Sequence, residues 1–181
     1  AQLPAWLKTD YLTMNRLCYI LFFLVVGALA SAQDADIKIL AINDMHSAVQ
    51  HMPKLAFIVD SIRAIHPDAL LFSGGDNRTG NPINDMYTEP NLPMVEMMNA
   101  MGFNFSTMGN HECDSGIESF VNTVNKSRAA YVVANAHPAD SLQVNIQPYR
   151  LFDHQGLRFG VIGVVQINET GIPDGHPDHF K

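Results

Sequence analysis

The sequence predicts an α/β domain built on a largely parallel sheet covered by helices, and three observations carry that prediction. Short apolar runs alternate with segments of helical periodicity at the spacing of βαβ units. Three successive runs end abruptly in polar tips, as strands do where open α/β sheets place their ligands. No internal repeat, low-complexity tract or domain linker interrupts the pattern.

The elements follow in order. Ile37–Ile42 is a β-leaning run that stops at Asn43-Asp44-Met45-His46. Pro53 to Ile65 repeats Leu55, Ile58, Val59, Ile62 and Ile65 on one helical stripe behind an N-terminal proline, and His66-Pro67-Asp68 ends it. Ala69–Phe72 is an apolar strand leading into Ser73-Gly74-Gly75-Asp76. Asn77 to Pro93 carries three prolines and no periodicity, and reads as an ordered excursion or lid. A helix over 94–101, a strand over 103–108 ending in Gly109-Asn110-His111-Glu112, a helix over 117–126 and a strand over 130–134 come next. Residues 149–152 and 158–165 pair as a hairpin around turn signals at 153–156, and the tail from Glu169 is turn-rich without a closing element.

Composition narrows the function classes. The 181 residues are 47% hydrophobic, which excludes a disordered chain, and hold 2 cysteines, which excludes a disulfide-stapled miniprotein. With 18 Asp+Glu against 11 Lys+Arg and no basic run, the surface repels a phosphate backbone, so no nucleic acid polymer is expected as a partner. Met14-Asn15-Arg16 leads into an apolar run from Leu17, followed by Ala28-Leu29-Ala30-Ser31-Ala32. Residues 14–32 therefore read as a signal peptide cleaved near 30 or 32, too short for a membrane span, and predict a secreted or periplasmic protein without a stable membrane anchor. Residues 1–13 read as upstream residues ahead of a misplaced start. Removing Lys8, Arg16 and Asp10 with these segments moves the net charge from −7 to −8 over residues 33–181, and Cys113 remains as the one cysteine.

The candidate site gathers at the strand ends. Asp44 and His46, two apart on an extended segment, project to one side while Met45 points away, and so are placed to share a cation. Asp76 comes off the adjacent strand, and its two carboxylate oxygens are able to bridge two cations about 3.5–4 Å apart. Asn110 adds a neutral carbonyl oxygen, and His111 is free to face a substrate. Each residue has a structural alternative when taken alone. Asp44 after Asn43 suits an Asx turn, Gly75-Asp76 an ordinary turn, and His111 a hydrogen-bonded surface histidine. Glu112 reads as turn or capping chemistry and is given no role.

Asp44-x-His46, Gly75-Asp76 and Gly109-Asn110-His111-Glu112, in this order and with this strand context, resemble the signature of calcineurin-like metallophosphoesterases. The stretches 39–46, 73–80 and 110–116 resemble its secreted 5'-nucleotidase / 2',3'-cyclic phosphodiesterase branch, over about residues 36–181. The resemblance implies a layered α-β-β-α sandwich, incomplete at the C-terminus, with residues 33–181 as the N-terminal part of the catalytic domain. It implies two divalent metal ions, of Zn, Mn, Fe or Mg, with Asp44 and His46 on the first, Asp76 bridging and Asn110 on the second. It further implies that Asn110 and His111 meet the phosphate, with Asp114 orienting His111. The activity implied is hydrolysis of phosphate monoesters, foremost nucleoside 5'-monophosphates, and the partners are a small phosphoester and the missing C-terminal half of the same protein.

Two departures stand beside the match. Further histidine ligands belong downstream, and His176 and His179 read as loop or rim, as do His137 and His154 beside their turns. Cys113 occupies a position where the family places a bulky apolar residue; it reads as a small buried hydrophobe, with oxidation or metal binding as the alternative. A catalytically incomplete metal- or phosphate-binding module is the competing reading.

Overall fold

A computed structural model describes residues 35–171, 173–175, 179 and 180, together with Arg16, Tyr19 and Phe22. The chain divides into a unit Ala1–Asp36 and a unit Ile37–Lys181. In the first, Arg16, Tyr19 and Phe22 are helical, and the rest of the expected signal segment and the upstream residues fall outside the described residues. No helix among the described residues is long and apolar enough to cross a membrane.

The second unit is built on a five-stranded sheet in the order β1-β2-β3-β4-β5, with every neighbouring pair parallel. The strands are β1 (Ile39–Ile42), β2 (Leu70–Ser73), β3 (Phe105–Ser106), β4 (Ala130–Val132) and β5 (Ile146–Gln147). Register is set by Ile39 opposite Leu70 and Ile42 opposite Ser73, so the polar tips after β1 and β2 emerge side by side. The ladder around β3 is longer than the strand itself. Asn104 N donates to Leu71 O and Thr107 N to Ser73 O, which accounts for most of the expected 103–108 run.

Parallel strands laid down in sequence order, with crossovers of the usual single hand, bring the connecting helices to one face. That face holds α1 (Met52–Arg63), α3 (Leu92–Met101) and α4 (Ile117–Lys126). Met52 and Val59 of α1 pack with Met94, Met98 and Met101 of α3 over Leu71, while Phe120 and Val124 of α4 pack over Tyr131 and Val133. Pro53 starts α1 after a short 3-10 turn at Val49–His51, as a residue without an N–H can at a first helical turn. Gly102 closes α3 in the left-handed conformation at φ 68°. The Arg63 guanidinium donates to Met101 O and Gly102 O, giving the carbonyls left over at that helix end a partner.

The opposite face carries a hairpin in place of helices. Strands β6 (Tyr149–His154) and β7 (Leu157–Ile162) pair antiparallel, and both turn residues have positive φ, Gln155 at 49° and Gly156 at 75°, the signature of a type I′ turn. Phe152 of β6 sits 5.0 Å from Phe105 of β3, and Phe105 meets Phe72 of β2 edge to face at 4.9 Å. The result is a layered α/β sandwich: helices, parallel sheet, hairpin. Two elements differ from expectation. β5 is only two residues long, below what an apolar run can signal, and the excursion after β2 contains a short helix, α2 (Pro82–Asp85). That excursion is ordered as expected, because Asn77, Arg78, Asn84 and Asn91 are all buried. The tail also docks more than its turn-rich sequence suggests: Phe180 is buried, 5.8 Å from Phe120.

Candidate metal centre

The ends of β1, β2 and β3 feed three loops that meet at one edge of the sheet. The β1–β2 ladder does not stop with the strands: Asp44 N donates to Gly75 O at 3.1 Å, His46 N to Asp76 O at 2.9 Å and Ser47 N to Asn77 O at 3.1 Å. These bonds persist although the backbone has left the extended region. Asp44, His46, Ser47, Asp76 and Thr79 all have positive φ, five of the seven non-glycine residues that do among those described. Left-handed backbone in non-glycine residues costs energy and concentrates where function over-determines geometry.

This changes the reason Asp44 and His46 converge. The expected cause, alternation along an extended segment, does not hold at φ 53° and 42°. The convergence comes from two left-handed residues flanking Met45, whose side chain is buried in the core as expected. One ligand atom from each of Asp44, His46 and Asp76 lies within 4.8 Å of the others, and His46 Nε2 is 3.7 Å from Asp44 Oδ1. Two carboxylates and one imidazole form a donor set suited to a metal ion.

The β3 loop closes on this cluster. His111 N donates to Asp76 Oδ1 at 2.9 Å, and the His111 ring meets the His46 ring edge to face at 5.2 Å. His111 Nδ1 is 2.7 Å from Asp114 Oδ2, which also accepts from Thr79 Oγ1 at 3.0 Å. The Asp114 carboxylate thus engages the His111 ring at Nδ1. The Asp114 hydrogen bond also lifts the His111 pKa above its ordinary value of 6.5, against the opposing effect of desolvation and with lesser help from the Asp114, Asp76 and Glu112 charges. A group whose folded pKa is raised contributes stability below pH 6.5 and loses it as pH rises through the elevated value. In Asp114→Asn, the His111 titration midpoint is expected to fall back toward 6.5 in the cation-free chain, read from its ring carbon resonance by NMR; an unmoved midpoint would remove Asp114 as the cause.

Asn110 lies half-buried between Gly109 and His111 in this loop. The glycines around it are dictated by crowding. A Cβ at Gly109 would stand 2.1 Å from Asp76 Oδ1, and one at Gly75, whose φ is 96°, 2.6 Å from Gly109 N. Sequence reasoning gave Glu112 no role, yet it is fully buried and accepts hydrogen bonds from backbone amides of both the β2 and β3 loops. Burial raises its pKa, opposed first by the charge of Arg78. No sequence signal marks it, because its partners are main-chain groups.

The remaining candidates sit apart. Cys113 packs half-buried against the Phe120 cluster, and burial pushes its thiol up to about 12, in keeping with the small buried hydrophobe expected. His137 is exposed beyond β4, His154 packs beside the stacked Phe152–Phe159 pair in the hairpin, and His179 engages Ala139 through its backbone carbonyl. His176 lies outside the described residues.

A parallel sheet whose consecutive strand ends converge a carboxylate–imidazole–carboxylate cluster beside a carboxylate-held histidine defines an α/β metallohydrolase domain. Residues 37–179 match the calcineurin-like phosphoesterase family, and the chain belongs to that family of enzymes. It is 31% identical over 156 residues to Protein UshA of Yersinia enterocolitica, covering 80% of this chain and 28% of that one. To the 5'-nucleotidase of Vibrio cholerae it is 30% identical over 119 residues, 66% of this chain and 21% of the relative. The fold is that of Haemophilus influenzae NAD nucleotidase, with TM-score 0.68 at 24% identity over 75% of this chain and 30% of that one. A 5'-nucleotidase precursor from Thermus thermophilus shares it at TM-score 0.63 and 21% identity, over 71% and 28% of the two chains. The chain thus spans less than a third of the length of these relatives.

Proposed function

We propose that this chain is the N-terminal part of an exported phosphoesterase that hydrolyses phosphate monoesters, foremost nucleoside 5'-monophosphates, at a site for two divalent cations. The observation that carries the reading is the convergence of Asp44, His46 and Asp76 to within 4.8 Å at the strand ends of a calcineurin-like phosphoesterase domain. Bound divalent cations would supply Lewis acidity and positive charge toward the phosphoryl oxygens. Asp44 and His46 would hold the first, Asp76 would contribute to both, and Asn110 would offer its carbonyl oxygen to the second. Asn110 and His111 meet the phosphate. Protonated on both nitrogens, His111 donates through Nε2 to a phosphoryl or leaving-group oxygen, while Asp114 stabilises that imidazolium and fixes its ring. The net acidic charge is then no obstacle to an anionic substrate, because the cations meet it.

Nucleoside monophosphates are favoured because 5'-nucleotidases stand among the relatives, and the same relatives' greater length supports a role for further chain in holding the rest of the substrate. Export to the periplasm or beyond is proposed from residues 14–32, read as a signal peptide, with residues 33–181 as the N-terminal part of the catalytic domain. The test pairs elemental analysis of the purified chain with phosphate release from a nucleoside 5'-monophosphate, with and without added Mn²⁺. Retained cation with phosphate released above buffer is the expected result. Cation without phosphate release would favour a metal- or phosphate-binding module, and no cation at all would overturn both.

A further inference from the structure

Glu112 is wholly buried, a place carboxylates occupy only when their oxygens are satisfied. Its two oxygens take three backbone donors: Asp76 N to Oε2 at 3.2 Å, Gly109 N to Oε2 at 2.6 Å and Asn77 N to Oε1 at 2.9 Å. Two of these donors belong to the loop after β2 and one to the loop after β3. The Asp76–His111 bond runs the other way, from the β3 loop's His111 N to the β2 loop's Asp76 Oδ1. The two loops therefore exchange a side-chain acceptor each, and Asp76 is gripped at both its amide and its carboxylate. Arg78 is fully buried as well, with Nη2 3.4 Å from the Tyr131 hydroxyl and the guanidinium 5.2 Å from the Phe120 ring centre.

We propose that Glu112 is a positioning residue: its carboxylate, outside the ligand cluster, staples the Asp76 loop to the Asn110–His111 loop and so sets the cation affinity of the site. The inference rests on the metal-site reading above and deepens it. Three N–H groups converge on the two oxygens of this one side chain, so both oxygens are needed as acceptors to join the loops. A glutamine of the same shape offers one acceptor and turns an NH₂ toward amide donors, leaving at least one buried donor without a partner.

The test compares the full chain with its Glu112→Gln variant by calorimetric titration with Mn²⁺ alone, by far-UV circular dichroism and by amide hydrogen exchange. In the unsubstituted, cation-free chain the Asp76, Asn77 and Gly109 amides are expected to exchange as slowly as those of β2. In the variant, dichroism is retained, those three amides exchange at least about tenfold faster, and Mn²⁺ binds about 10–100-fold more weakly, the usual loss when an outer partner of a metal site is removed. A merely structural role would lower the melting temperature and leave Mn²⁺ affinity unchanged; a folded variant with unchanged affinity overturns the proposal. Should the variant not fold, the unsubstituted chain decides, because unprotected amides at those three positions also overturn it. Failure of the unsubstituted chain to take up Mn²⁺ would sink the metal-site reading instead, while the exchange rates still report whether the staple exists.

Discussion

Asp76→Asn is expected to weaken cation binding by more than about 100-fold, since loss of an outer-shell partner alone costs 10–100-fold. The substitution isolates the charge. Asp76 sits at φ 50°, a conformation asparagine tolerates almost as well as aspartate, and the amide oxygen of asparagine can still accept the His111 N–H. Backbone geometry and the loop-to-loop bond are preserved, so the melting temperature should move by no more than a few degrees. Asp76→Ala would mix causes, because alanine is strained at this φ and leaves the His111 amide unpaired. Mn²⁺ titration beside a thermal melt checks the expectation, and an asparagine variant that binds Mn²⁺ as tightly as the original chain would remove Asp76 from the ligand set.

A large effect on stability is expected at Gly75. Its φ of 96° lies outside what L-residues adopt without strain, and an added Cβ would meet Gly109 N at 2.6 Å and Met108 C at 2.7 Å. Both obstacles are backbone, so no side chain can swing aside; the β3 loop itself must move, carrying Asn110 and His111 with it. Backbone strain of this kind costs about 1–3 kcal/mol and the clash adds to it, so Gly75→Ala should lose at least about 3 kcal/mol. For a chain of this size that lowers the melting temperature by roughly 6–12 °C. Differential scanning calorimetry measures it, and a change within 2 °C of zero would mean the two loops are not pressed together as described.

The fold was legible where local chemistry and burial agree. Leu70 and Leu71 announce a buried strand, and Pro53 marks a helix start because its backbone constraint is a property of a single residue. What the sequence withheld depends on residues distant in the chain. β5 pairs Ile146 and Gln147 with Tyr131 and Val132 and has no apolar run of its own. That helices line only one face follows from strand order, which no local pattern encodes. At the site, Asp44, His46 and Asp76 were identifiable as polar tips on apolar runs. The cause of their convergence was not, since left-handed backbone at Asp44 and His46 is imposed by bonds to Gly75 and Asp76 across the sheet. Glu112 was invisible for the same reason: its meaning lies in amides 35 and 36 residues away in the chain.

The hydrogen bonds from Asp44, His46 and Ser47 onto Gly75, Asp76 and Asn77 make the ligand loops continuous with the ladder that builds the core. Loops tethered only at their ends fray independently, whereas segments stitched into a sheet open together with it. Moving Asp44 or His46 out of place therefore requires undoing the end of the β1–β2 pair, a cooperative event. An arriving cation meets donors already ordered when the chain folded, and its binding free energy is not consumed in fixing them. The rigidity of the sheet is, in this sense, lent to the chemistry at its edge.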